Sequence, residues 1–339
     1  MNFNFTSLRH IFVVVLAMFS SQSNAQQVEP MYLEGNAQGT SFHITYYDSL
    51  DRLFQNEILQ ILADFDNAVS TYVPNSVISE INSNKRKHTK NEYFNTCFLK
   101  AKELNKLTNG VFDPTIYPLS NAYGFGPGKK QKLDQRQIDS VLEFVGFDKI
   151  ALKGNKILKQ DPRVGLDFNA FAQGYSVDLI AAFLETKGIT SYIVEIGGEV
   201  YAKGKQADGE KWLIGIEEPV DNKEGQNEFT AALKIDGLGV ATSGNYRRFF
   251  IEDGIKYVHH IDPRTGCPTK NNLLSATVIS SSCITSDALA TGLLVMGLEN
   301  AKVFLNEHPE IQSYLIYSDE KGELKTFQTQ GINSLLIQF

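Results

Sequence analysis

Thr285-Ser286-Asp287-Ala288-Leu289-Ala290-Thr291-Gly292-Leu293-Leu294-Val295-Met296-Gly297 is an apolar stretch that carries a carboxylate and a hydroxyl four residues apart. Read as a helix, it puts Asp287 and Thr291 on one face. Burying that face costs desolvation unless a positive or hydrogen-bonding group meets the two side chains. A hard, oxygen-seeking cation such as Mg2+ would meet both at once. Alternatively, Asp287 is a helix-start carboxylate favoured by the macrodipole, and Thr291 bonds back to the Asp287 carbonyl. Capping carboxylates are the commoner case, so the choice rests on the rest of the chain.

Around this helix the second half of the sequence reads as strands and short turns. Val164 to Phe168, Tyr192 to Ile196, Val200 to Lys203, Trp212 to Glu217 and Phe229 to Ile235 are strand candidates, as is a hairpin from Tyr246 to His260 turning at Asp253-Gly254. Helices are expected at Ala172 to Thr186 and Ser286 to Gly297. In the first half, Tyr32 to Tyr47 reads as strand broken at Gly39-Thr40. Three amphipathic helices follow: Asp51 to Val69, Phe94 to Leu107 with a left-handed stop at Asn109-Gly110, and one capped by Asp134 that runs to Phe144. Tyr123 to Lys130 is too rich in Gly and Pro for regular structure. Strands in runs mixed with helices, without strict alternation, define an α+β class. No Pro-, Ser- or charge-rich linker divides the halves, so two lobes sharing a cleft are expected.

The chain has 339 residues and a net charge of −7, from 32 basic against 39 acidic side chains. That balance argues against a general attraction to nucleic acid or anionic lipid, and Lys85-Arg86-Lys87 reads as a solvated loop. Residues 1–25 read as a secretory signal: Arg9 and His10, the apolar run Ile11 to Phe19, then Ser23-Asn24-Ala25 as a small-x-small cleavage site. The run is short of the roughly 20 apolar residues that a crossing helix needs. The mature domain, 26–339, is therefore expected to be soluble in the periplasm, with no stable membrane span. Cys97, Cys267 and Cys283 have no metal-ligand spacing and are odd in number, so they read as packing residues.

Chemistry-bearing residues concentrate in a few further segments. They are Gln38-Gly39-Thr40, Ser70 to Ser76 (Ser-Thr-Tyr-Val-Pro-Asn-Ser), Gly110-Val111-Phe112-Asp113-Pro114-Thr115, Asp167 to Asp178, Glu195-Ile196-Gly197-Gly198-Glu199, Ala241-Thr242-Ser243-Gly244-Asn245-Tyr246, and Tyr257 to Gly266. Together with Asp-Ala-Leu-Ala-Thr at 287–291, these segments resemble the ApbE family, the FAD:protein FMN transferases, over nearly the whole mature chain. Each motif is weak alone; their joint order is specific. The resemblance implies an α+β fold of two similar lobes with the dinucleotide in the cleft between them, a Mg2+ requirement, and export.

It also implies roles for matching positions. Asp287 and Thr291 would hold Mg2+ through side-chain oxygens, with the Ala172 backbone carbonyl completing the protein's share. Tyr72 would lie against an aromatic ring of FAD and Thr40 near the dinucleotide. The backbone of Gly197 and Gly198 would approach the nucleotide as glycine permits. The Thr242-Ser243-Gly244 turn would rest against a phosphate, and His259 would stand near the diphosphate. Local readings compete: Tyr72 as a core aromatic, Gly197-Gly198 as a plain tight turn, His259 as a cross-strand residue. Asp113 reads as a turn-holding carboxylate.

Two departures stand out. Gln173 occupies a position where the family usually has lysine, leaving Mg2+ or another cation such as Arg247 to offset the diphosphate. No cysteine follows the leader for lipid attachment. The expected reaction is transfer of FMN from FAD to a threonine of an acceptor protein, a respiratory or electron-transfer flavoprotein subunit, with release of AMP. His259 or Asp287 would take the threonine proton. FAD hydrolysis to FMN and AMP, and non-catalytic FAD binding, are the alternatives.

Overall fold

The computed structural model describes residues 28–219, 229–245 and 260–338, and the backbone of 249–252 and 255–258. The expected leader at 1–25, Arg247, the expected turn at Asp253-Gly254 and His259 lie outside the described residues.

The chain opens with the hairpin β1 (Pro30–Ala37) and β2 (Thr40–Tyr47), followed by α1 (Gln55–Val69), α2 (Val77–Asn82), α3 (Glu92–Leu107), α4 (Tyr117–Tyr123) and α5 (Gln135–Leu142). A small hairpin, β3 (Ile150–Lys153) and β4 (Lys156–Lys159), leads to α6 (Ala172–Thr186), then β5 (Tyr192–Ile196), β6 (Glu199–Lys203), β7 (Trp212–Glu217), β8 (Phe229–Ile235) and β9 (Leu238–Gly244). After β10 (Phe249–Glu252) and β11 (Ile255–Val258) come β12 (Leu273–Ser280), α7 (Cys283–Met296), α8 (Leu298–Glu307), β13 (Gln312–Ser318), β14 (Leu324–Gln328) and β15 (Leu336–Gln338).

Eight strands form one sheet in the order β1-β2-β5-β6-β9-β12-β13-β14, every neighbour antiparallel. The α+β class is as read. The two halves repeat one plan: an antiparallel strand pair (β1-β2, β9-β12), helices, and a second pair that lies beside the first (β5-β6, β13-β14), with α6 inserted between β2 and β5 and α7 between β12 and β13. The lobes are thus similar but share a single sheet, joined where β6 meets β9.

Both faces of the middle of the sheet are covered, while the edge strands β1 and β14 stay partly exposed. Tyr192, Val194 and Ile196 of β5 pack with Val177, Ile180 and Leu184 of α6. On the opposite face Val200, Ala202, Val240 and Ile279 pack with Trp212, Ile216 and Leu233 of the three-stranded sheet β15-β8-β7. A strand buried on both faces loses the polar alternation of a half-exposed one, and six of the eight residues of β12 are buried. Eleven of the 14 residues of α7 are buried as well, the pattern of a helix enclosed on all sides.

Asn109 (φ 50°) and Gly110 (φ 80°) form the expected left-handed stop after α3, and Asp134 caps α5 in a reciprocal capping box with Gln137. The three cysteines are unbridged, and burial raises the Cys97 and Cys283 thiols. Two expectations are corrected. Val164 to Phe168 is not a strand: the Asn82 side-chain amide pairs with both the N–H and the C=O of Leu166 at 2.8 Å, taking the place of a partner strand. Thr242-Ser243-Gly244 is not a turn but the end of β9, paired with Thr277, Ala276 and Ser275.

Candidate functional site

The pairing of β9 with β6 stops at Val240, near the start of β6, while β9 itself runs on to Gly244 beside β12. The sheet therefore parts on one side, and the gap is walled by Ala172 and Gln173 at the start of α6 and by Asp287, Thr291 and Val295 along one face of α7. A cavity of about 840 Å3 opens there, well within the range of small-molecule and cofactor sites. Its wall includes Thr40, Tyr72, Ala172, Gly197, Thr242, Ser243, Gly244, Asp287 and Thr291. Nine positions singled out from six different parts of the sequence thus converge on one space.

Asp287 is the fifth residue of α7, past the first turn, so it does not cap its own helix. Its Oδ2 accepts the backbone N–H of Gly174 on α6 at 3.0 Å. Burial pushes the carboxyl well above the usual carboxylate range, the charge of Asp178 adds to that rise, and the Gly174 N–H opposes it. The Thr291 hydroxyl does not turn back to the Asp287 carbonyl; it meets Ser243 Oγ at 3.1 Å. The capping reading of this pair therefore fails in both its parts.

Gly197 (φ 68°) and Gly198 (φ 105°) form the two-residue turn between Ile196 and Glu199, a conformation that favours glycine. A Cβ on Gly197 would stand 2.8 Å from Gln173 Nε2 and 3.0 Å from Thr40 Cγ2. Gln173 thus lies against this turn, on the cavity wall. Gly198 is not part of the wall; its N–H is held by Glu195 Oε1 at 2.7 Å. Tyr72 is 59% exposed and its hydroxyl donates to the Phe125 carbonyl at 3.0 Å, which excludes the core-aromatic reading and leaves an aromatic ring at the cavity rim. Asp113 has the turn-holding role expected of it: it accepts from Thr115 N–H and Oγ1 at 2.8 and 2.6 Å and from Phe147 N–H at 3.0 Å.

Several wall residues were not assigned a role from sequence. Asp66 and Asp167 are raised by burial, as is Asp113, and Glu199 and His260 are buried. Asp66 lies one residue beyond Phe65 on α1, hidden in a pattern that reads as an ordinary amphipathic helix. Among the described residues the wall carries five carboxylates, Asp66, Asp113, Asp167, Glu199 and Asp287, and no lysine or arginine.

A diphosphate entering such a space meets like charge unless a cation enters with it. The donor set suits a hard divalent ion: one buried carboxylate oxygen left by Gly174, the Thr291 hydroxyl, and the Ala172 carbonyl, which also accepts Ser176 Oγ at 3.0 Å. No cluster of three or more His, Cys, Asp or Glu capable of holding a metal occurs among the described residues. Ligand oxygens or water would therefore have to complete the coordination.

A mostly antiparallel α+β protein with one dinucleotide-sized cavity between two repeated halves is the class that fold and site define. The profile of the ApbE family matches residues 38–315, and the chain belongs to that family. The FAD:protein FMN transferase of Haemophilus influenzae is 35% identical over 325 residues, 91% of this chain and 93% of its own. That of Vibrio cholerae is 34% identical over 327 residues, 93% of this chain and 96% of its own. The structure of the flavin transferase ApbE from Vibrio cholerae superposes with a TM-score of 0.80 at 32% identity, covering 91% of this chain and 99% of that one. The apo flavinyl transferase ApbE of Pseudomonas stutzeri gives a TM-score of 0.80 at 29% identity, covering 91% and 97%.

Proposed function

We propose that this chain is a Mg2+-dependent FAD:protein FMN transferase, exported to the periplasm and soluble after removal of residues 1–25. The observation that carries the reading is the convergence of Thr40, Tyr72, Ala172, Gly197, Thr242 to Gly244, Asp287 and Thr291 on one cavity of about 840 Å3. Membership of a family whose relatives bear that activity in their names supports it.

Asp287, Thr291 and the Ala172 carbonyl would hold the ion, which when bound supplies neutralisation of the diphosphate charge. Tyr72 would fix an aromatic ring of FAD at the rim, and the Gly197 turn and the end of β9 would border the nucleotide. The acceptor's threonine hydroxyl oxygen forms a bond to the phosphorus on the FMN side. The bond from that phosphorus to the bridging oxygen breaks, and AMP leaves with that oxygen. The threonine proton passes to Asp287 or His259. Such chemistry needs in-line placement more than covalent help.

Incubation with FAD and Mg2+, with and without an acceptor bearing a flavinylation threonine, tests the reading. Transfer predicts AMP release that depends on acceptor and Mg2+, with in-gel flavin fluorescence on the acceptor. AMP and free FMN at the same rate without acceptor would make the chain an FAD pyrophosphatase instead.

A further inference from the structure

The starts of α6 and α7 cap each other. Neither helix is capped by its own preceding residue: Phe171 has no side chain suited to it, and Ser282 makes no side-chain cap bond. The acceptors come from across the interface. Asp287 on α7 takes the Gly174 N–H of α6 at 3.0 Å, and Asp178 on α6 takes the Cys283 N–H at Oδ1 (2.7 Å) and the Ile284 N–H at Oδ2 (2.9 Å). The pairs 174 with 287 and 178 with 283 run in opposite directions along the two helices, so this clasp fixes an antiparallel register one turn long. Gly174 lets it close: a Cβ there would stand 2.6 Å from the Cys283 carbonyl and 2.8 Å from Asp287 Cβ.

Asp178 is not on the cavity wall, so it does not touch the ligand. We infer that Asp178 is a positioning residue for the reaction: by holding the first turn of α7 against α6, it sets where Asp287 and Thr291 stand and so sets the site's affinity for its divalent cation. This rests on the reading of Asp287 as the carboxylate ligand. Asp287 lies one helical turn beyond Cys283 and Thr291 two turns beyond it, so both inherit any shift or fraying at the helix start. Removing a group that orients a metal ligand costs about 10–100-fold in metal affinity.

The test is Mn2+ titration by electron paramagnetic resonance on the mature protein, with FAD present and acceptor absent. Asp178→Asn keeps the shape but can accept only one of the two N–H groups. It is expected to weaken Mn2+ binding by about tenfold or more, to raise the Mg2+ concentration for half-maximal AMP release, and to recover kcat at saturating Mg2+. A merely structural loss lowers kcat without that recovery. Wild-type Mn2+ affinity in Asp178→Asn, alongside lost binding in Asp287→Asn, overturns the positioning role while leaving the metal reading standing. Wild-type affinity in Asp287→Asn overturns both. If Asp178→Asn does not fold, amide exchange at Cys283 and Ile284 in the metal-free wild type decides: slow exchange supports a preformed clasp, and rapid exchange contradicts it.

Discussion

Asp287 reaches across from α7 to accept the N–H of Gly174 at 3.0 Å, so the residue that faces the cavity also ends the first turn of the neighbouring helix. Site and scaffold are joined at this contact. One carboxylate oxygen belongs to the helix pair, and the other is left for whatever enters the cavity.

Gly174→Ala should therefore damage both. With the added methyl 2.6 Å from the Cys283 carbonyl and 2.8 Å from Asp287 Cβ, the helices must separate, at an expected cost of about 1–3 kcal/mol. A lowered melting temperature together with weakened Mg2+ dependence is the expected outcome; a melting curve equal to wild type would show that the helices have slack there.

Asp287→Ala should abolish AMP release, because deletion of a charged hard ligand removes both cation binding and charge neutralisation. It should also remove the stabilisation that Mg2+ with FAD gives the wild type, about 2.7 kcal/mol at a ligand concentration 100 times Kd. Thermal melts with and without Mg2+ and FAD read this directly. Metal-dependent turnover near the wild-type rate in this variant counts against the assignment.

Tyr72→Ala should weaken FAD binding by about 5- to 150-fold, since stacking on a ring is worth about 1–3 kcal/mol. The side chain is 59% exposed, so the melting temperature of the ligand-free protein should hardly change. Unchanged affinity with a lowered melting temperature would assign Tyr72 to folding instead.

Gln173→Lys should bring at most a modest rate gain. The side chain lies beside Gly197 on the cavity wall, where a Mg2+ held as proposed would already offset the diphosphate and repel a second cation. Restoration of AMP release by this substitution in an otherwise inactive wild type would mean that the natural chain only binds FAD.

How much of this was legible beforehand depends on whether the signal was local. The boundaries of α6 and β5, the Asn109-Gly110 stop and the Asp134 cap follow from periodicity and turn chemistry within a few residues. Val164 to Phe168 mimics a strand in sequence because Val164, Leu166 and Phe168 are fully buried, as strand residues would be, yet Asn82 supplies the hydrogen bonds. Strands β12 and β13 carry no alternation in sequence because they are buried on both faces. Asp287 and Thr291 could be paired from their spacing. That Thr291 meets Ser243, and Asp287 meets Gly174, are contacts across 48 and 113 residues that no spacing reveals.

The most direct test of the central claim is the fate of FAD incubated with residues 26–339, Mg2+ and a threonine-bearing acceptor. The account predicts an acceptor mass increased by one FMN in phosphoester linkage, one AMP released per FMN attached, and loss of both on chelation of Mg2+. FAD held intact for hours in the presence of Mg2+ and an acceptor that a related transferase modifies would contradict it.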